Sequence, residues 1–297
     1  MIKEKETSKA LIYFLVGWVL LNVLQAIGTG LFHDEGLYWM FSTQPDWGYF
    51  DHPPMIGWLI ALTSSWLPGE LGVRLPFILM SAGSIFFLWK LTQPKDEILF
   101  FTLISAMSIL HLGGFFAAPD VPLIFLISLL LWVYRKYYYQ DSIFLAVCLG
   151  LILGLMGLTK YHSAIFAIAV GLSNLKLYSR WTFYTGLVIA GLIIAPHIYW
   201  QFQNDFVTFD FHLFNRRGAQ PFSWSYPLEY LLGQLLVYGP LVSLVVIPAA
   251  IKYFSDLHYD CAMKYSFYTI LVFFLIMSFR GRVEANWTAA AFVPMVY

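Results

Sequence analysis

Charge is what this sequence has least of. Only 11% of its 297 residues are Asp, Glu, Lys or Arg, against 60% hydrophobic. A water-soluble domain carries roughly 25% charge and about 45–50% apolar residues. The shortage excludes a chain whose whole surface faces water, and it excludes disorder, which needs the opposite balance. Seventeen basic and seventeen acidic residues cancel, so there is no basic field to attract nucleic acid. With two cysteines, Cys148 and Cys261, a disulfide scaffold is excluded. A nucleotide cradle is missing as well: Gly28 and Gly30 stand at the end of an apolar run, not between a strand and a helix.

What is abundant is apolar length and aromatic surface, the latter 19% of the chain. About 20 mostly apolar residues cross a bilayer as a helix. Runs without Asp, Glu, Lys or Arg cover Ala10–Phe32, Leu75–Trp89, Ile98–Pro119, Val121–Tyr134, Ser142–Thr159, Tyr161–Leu175, Trp181–Asn204, Tyr230–Ile251, Tyr265–Phe279 and Ala285–Tyr297. The expectation is an all-α polytopic membrane protein with about 9–10 spans: nine, and a tenth cut short by the chain end. Several runs are short, so their helices borrow flanking residues or tilt. The charged N-terminus precedes an uncharged run of 23 residues without a cleavage site, so the first span is expected to remain as a helix.

Lysine and arginine set the orientation. With the N-terminus in the cytoplasm and the spans alternating, eleven of the seventeen basic residues fall inside, among them Lys5, Lys90, Lys95, Arg135 and Lys136, and six outside. The two cysteines then lie at different depths, which speaks against a bond between them. Every unusual polar cluster falls on the non-cytoplasmic side: the 32–53 loop, Asp120, Lys160, the 201–229 loop and the 280–286 turn. A shared face is what an active site needs; the alternative is that outer loops are simply polar.

The first outer loop places Asp34, Glu35, Asp46 and Asp51 with His33 and His52 among Trp, Tyr and Phe side chains. Two readings stand at this level. One is a wet loop resting on an interfacial aromatic belt. The other is a sugar cleft, in which rings stack on pyranose faces and carboxylates bind hydroxyls. Asp120 breaks an uncharged stretch, which fits either a helix N-cap ahead of Pro122 or a binding group. Lys160 breaks another, as a snorkelling anchor or as a cation for lipid phosphate. Arg216, Arg217, Arg280 and Arg282 suit phosphate oxygens or anionic lipid headgroups.

Asp34-Glu35 after the first span, followed by Gly48-Tyr49-Phe50-Asp51-His52-Pro53-Pro54, resembles the polyprenyl-phosphate-sugar-dependent glycosyltransferases with the GT-C fold. The similarity is greatest to the branch holding protein mannosyltransferases and the aminoarabinose transferases that modify lipid A. It continues in Ala118-Pro119-Asp120-Val121-Pro122 and Leu158-Thr159-Lys160-Tyr161. Together the matches cover roughly residues 30–165 and fix the family better than the substrate.

The resemblance implies a GT-C-type transmembrane helical bundle with membrane-associated outer-loop helices. It implies one transmembrane glycosyltransferase domain over residues 1–297, truncated at its C-terminus because relatives continue further. Asp34 takes the place of the catalytic base, with Glu35 beside it orienting the base, the acceptor or a cation. Lys160, Arg216, Arg217, Arg280 and Arg282 become donor-phosphate ligands. Asp51, His52, Asp120 and Tyr161 become substrate-binding residues. The implied partners are a polyprenyl-phosphate sugar donor, a lipid, glycan or protein acceptor, and membrane lipids; the implied location is a bacterial inner membrane with the site on its non-cytoplasmic face. Some relatives use a divalent metal, and His33, Glu35, Asp51, His52 and His212 are candidate ligands, although no spacing matches a metal motif. The rival readings are a secondary transporter, against which the acids crowd one face rather than the midplane and no internal repeat is found, and a non-catalytic membrane subunit.

Overall fold

Each of the ten apolar runs contains helix. The computed structural model describes residues 5–212, 222–252 and 258–297, and among them there is no strand. The helices are α1 Lys9–Gly28, α2 His33–Thr43, α3 Met55–Ser64, α4 Gly69–Thr92, α5 Glu97–Ala106, α6 Ser108–Phe115, α7 Asp120–Tyr139, α8 Ile143–Gly157, α9 Ser163–Leu172, α10 Trp181–Gln203, α11 Val207–Asp210, α12 Ser225–Tyr238, α13 Pro240–Lys252, α14 His258–Ser278 and α15 Phe292–Val296. Short 3-10 turns occupy Leu175–Ser179 and Ala285–Ala291.

The spans differ from the sequence expectation of nine and a part. Among the described residues, five helices, α1, α4, α7, α10 and the α14 stretch Tyr259–Ser278, are long and apolar enough to cross a membrane, or up to seven if two bent pairs each count once. The Ile98–Pro119 run breaks at Met107, whose backbone is extended. The Tyr230–Ile251 run turns through 103° between α12 and α13, at Gly239, where φ is +103°. Helices α8 and α9 are shorter apolar helices. The last run is a 3-10 turn leading into a single short helix, with Ala289, Ala290, Ala291, Phe292 and Val293 wholly buried. Counting uncharged residues measures how much chain is apolar; it is blind to backbone breaks that neighbouring helices cover.

Helix α1 packs on α4, α4 on α7, α7 on α8 and α8 on α10, while α14 packs on α9. The shared core includes Leu11, Ile85, Trp89, Leu131, Tyr137 and Phe267, all buried. Leu20 and Leu24 of α1, and Leu192 and Tyr199 of α10, stay exposed, as a face toward lipid requires.

The two ends of the bundle differ chemically. At one, Lys5 pairs with Glu97 at 2.8 Å, Arg135 donates to the carbonyls of Leu91 and Lys90, and Arg180 donates to those of Tyr137 and Tyr138. The two arginines close helix C-termini, where carbonyls lack partners. The opposite end gathers α2, the 44–54 segment, the starts of α7 and α9, and the end of α10.

Candidate functional site

Helix α2 begins with an acid pair, which the positive end of a helix favours. Its two members go separate ways. Asp34 is 68% exposed at the side chain and meets His33 at 3.4 Å. Glu35 is fully buried. It accepts from Arg74 Nε at 2.8 Å and Nη2 at 2.6 Å, from the Ala117 N–H at 2.8 Å and from the Phe32 N–H at 3.0 Å.

Arg74, also fully buried, spends its remaining donors on the last carbonyls of the first span, at Ala26, Thr29 and Gly30. A buried ion pair holds only when every lone pair and proton is answered, and here each is. Glu35 therefore ties α1, α2, α4 and the approach to α7 together, and leaves Asp34 on a fixed first turn facing out.

The 44–54 segment is fastened along its length. Asp46 accepts from Trp200 Nε1 through its carboxylate and from Trp58 Nε1 through its carbonyl, both at 2.8 Å. Gly48 lies flat on the Trp200 indole, and a Cβ there would fall into the ring. Tyr49 stacks on Phe41 at 4.1 Å and donates to the Phe41 carbonyl at 3.0 Å. Asp51 pairs with His52 at 2.9 Å, and His212 Nε2 donates to the Asp51 carbonyl at 2.8 Å. Burial pushes the Asp51 carboxyl up, but the His52 bond and charge, its own N–H and the charge of His212 outweigh this and hold it below the usual carboxylate range. Pro53 and Pro54 lead into α3, as proline suits a helix start, and the Met55 N–H donates to the Leu158 carbonyl at 3.1 Å.

The structure pairs Asp120 with Lys160, each of which the sequence left with two readings. Asp120 makes no capping bond to α7. Its Oδ1 meets Lys160 Nζ at 2.7 Å, and its Oδ2 accepts from Asn286 Nδ2 at 2.9 Å. Lys160 is accordingly compensated, since the buried Asp120 carboxylate already neutralises it.

Tyr161, expected to bind substrate, commits its hydroxyl inward. It donates to His197 Nε2 and accepts from Gln201 Nε2, both at 3.0 Å. His197 Nδ1 meets the Trp47 carbonyl at 2.6 Å. Gln201 also donates to Thr208 Oγ1 at 2.7 Å, and Thr208 donates to the Tyr49 carbonyl at 2.7 Å.

Arg280 and Arg282 are exposed, Arg282 pairing with Glu229 at 3.5 Å. Arg216 and Arg217 lie outside the described residues. The proposed metal ligands do not converge. His33 is almost wholly exposed, Glu35 is filled by Arg74, and His212 faces a carbonyl. Among the described residues, no three His, Cys, Asp or Glu side chains form a metal-holding group.

Sequence reading missed Arg74, His197, Gln201 and Asn286. His197 and Gln201 carried a signal: an imidazole and an amide, one turn apart, inside an apolar run. Counting only Asp, Glu, Lys and Arg passed over them.

Comparison with known proteins adds to this geometry. The family model described as dolichyl-phosphate-mannose-protein mannosyltransferase matches residues 51–200. The lipid A galacturonosyltransferase RgtD of Rhizobium johnstonii is 27% identical over 302 residues, spanning 94% of this chain and 62% of that protein. The crystal structure of ArnT from Cupriavidus metallidurans in the apo state shares the fold with a TM-score of 0.67 at 19% identity, covering 94% of this chain and 58% of that one. The chain thus spans about three-fifths of the length of these relatives.

Proposed function

Because the chain belongs to the dolichyl-phosphate-mannose-protein mannosyltransferase family, multi-pass helical membrane proteins of the GT-C class, we propose that it transfers a sugar from a polyprenyl-phosphate carrier to an acceptor, with inversion, on the non-cytoplasmic face of the cell membrane. The N-terminus is then cytoplasmic. The observation that carries this reading is the parting of the acid pair. A single exposed carboxylate, Asp34, stands on a helix turn anchored by a fully buried one, Glu35.

Inversion needs one base. As the C1–O bond to phosphate breaks, positive charge develops at C1 and an acceptor oxygen attacks from the opposite face. Its proton must go to a carboxylate at that moment. Asp34 is the group free to take it. The phosphate leaves without protonation, so no general acid is required. Glu35 cannot serve as that base, because all its lone pairs are occupied. Its role is to set the turn on which Asp34 stands.

Phosphate gains charge as it leaves, and cations near it stabilise the transition state more than the ground state. Lys160, held by Asp120, is one candidate for that cation. For it to act, the donor phosphate must share it with Asp120, which Asn286 would keep in place. Arg216, Arg217, Arg280 and Arg282 remain proposed phosphate ligands, and Asp51 and His52 proposed substrate contacts.

The experiment incubates the purified protein in lipid nanodiscs with radiolabelled polyprenyl-phosphate sugars. The relative named for lipid A and galacturonic acid puts a uronic acid donor and lipid A first in the panel. Transfer that depends on the lipid carrier and vanishes in Asp34→Asn supports the reading. Uptake of solute into sealed vesicles without transfer would favour a transporter instead.

A further inference from the structure

His197 and Gln201, one helical turn apart, reach the segment that carries Asp51 and His52, His197 directly and Gln201 through Thr208. His197 is buried to 1% exposure and Gln201 completely. His197 stands 150 residues further along the chain than the carbonyl that it holds. Hydrogen-bond direction follows from chemistry. A carbonyl only accepts, so His197 Nδ1 carries the proton toward Trp47. Its Nε2 then accepts from the Tyr161 hydroxyl. That hydroxyl oxygen accepts from Gln201, whose amide nitrogen also reaches Thr208, and Thr208 donates to Tyr49.

We propose that His197 is a positioning residue: its ring and the Tyr161–Gln201–Thr208 chain fasten the carbonyls of Trp47 and Tyr49, and so present Asp51 and His52 in one conformation to the substrate. The contacts on either side fit that role. Trp200 holds Asp46 and backs Gly48, Phe211 packs on Phe50 at 4.9 Å, and His212 holds Asp51. From Asp46 to Asp51, each residue is met by α10 or the stretch that follows it. The segment has little helix of its own, so these contacts, with those of Phe41 and Trp58, supply its order.

The role in substrate binding rests on the proposed transfer activity; the fastening does not, and the test separates them. Asn at position 197 places an amide nitrogen where Nδ1 was and keeps the Trp47 bond. Gln places its amide near Nε2, keeping Tyr161 and releasing Trp47. Backbone hydrogen exchange over residues 46–52 should rise roughly tenfold in His197→Gln, the loss of one buried hydrogen bond, and stay near wild type in His197→Asn. His197→Gln combined with Thr208→Val should raise it further, because both carbonyls are released. Donor KM should then climb as the inverse of the remaining closed fraction, with kcat within about twofold.

Unchanged exchange in His197→Gln and in the double variant would overturn the proposal. So would faster exchange at unchanged KM in a variant whose closed fraction has fallen. If the wild type turns over no donor in the panel, the transfer reading fails, while the exchange comparison still decides whether His197 fastens the segment.

Discussion

The Glu35 carboxylate and the Arg74 guanidinium, both at zero exposure, meet through two bonds of 2.8 and 2.6 Å, across 39 residues of chain. Breaking such a pair from one side leaves a buried charge unanswered. Glu35→Gln or Arg74→Met should each cost about 3–5 kcal/mol, seen as a large fall in the melting temperature of detergent-solubilised protein. The double variant should recover part of that loss. Two single losses that simply add would show that the pair is not coupled.

Asp34 is the contrasting case. Its side chain is exposed, so Asp34→Asn should melt like the wild type. If it is the base, kcat should fall roughly 10²–10⁴-fold, the range for a general acid–base group, while donor affinity holds. Activity within a few-fold of wild type would remove it from the mechanism.

Lys160 and Asp120 separate structure from binding. Lys160→Met should destabilise by at least about 1–3 kcal/mol, because Asp120 loses a charged partner. Adding Asp120→Asn should restore the melting temperature. Donor affinity should stay low in both variants if Lys160 meets the phosphate. Donor affinity returning together with stability would make the lysine a purely structural partner.

The pH dependence follows from Asp51. Its folded pKa lies below the usual carboxylate range, so on acidification the unfolded chain, with a pKa of about 3.9, takes up the proton first. The contribution of Asp51 to stability is whole above about pH 5, shrinks through the unfolded value, and is lost as the pH falls through the folded one. Melting curves of wild type and Asp51→Asn should therefore converge in acid and separate toward neutrality. Curves that run parallel from neutral to acid would exclude that linkage.

Much of the helical pattern was legible because apolar length is a local property. The Ala10–Phe32 run became α1 and the Trp181–Asn204 run became α10 with small shifts at their ends. The gathering of Asp34, Asp51, Asp120, Lys160 and Tyr161 at one end was legible too, since alternating spans return every second connection to the same side. What stayed hidden was pairing. Arg74 read as one more cation in an outer loop, and nothing local reveals that it answers Glu35 and closes the first span. Asn286 lies 166 residues from the carboxylate it holds. The bends were hidden because a glycine in an apolar run is compatible with an unbroken membrane helix; Gly239 becomes a corner only through what lies against it.

What lies against it is the other break. A Cβ at Gly239 would press on the Ala106 carbonyl and approach Met107, so the two interrupted runs meet at their interruptions. Backbone freed from helix cannot face hydrocarbon, and is tolerated at that depth only when covered by protein. Each break is the other's cover. The consequence concerns the order of synthesis. When the ribosome has delivered α5 and α6, the stretch around Met107 still lacks the corner that shields it, some 130 residues downstream. Until that corner enters the membrane, the backbone around Met107 lacks the cover that Gly239 gives it.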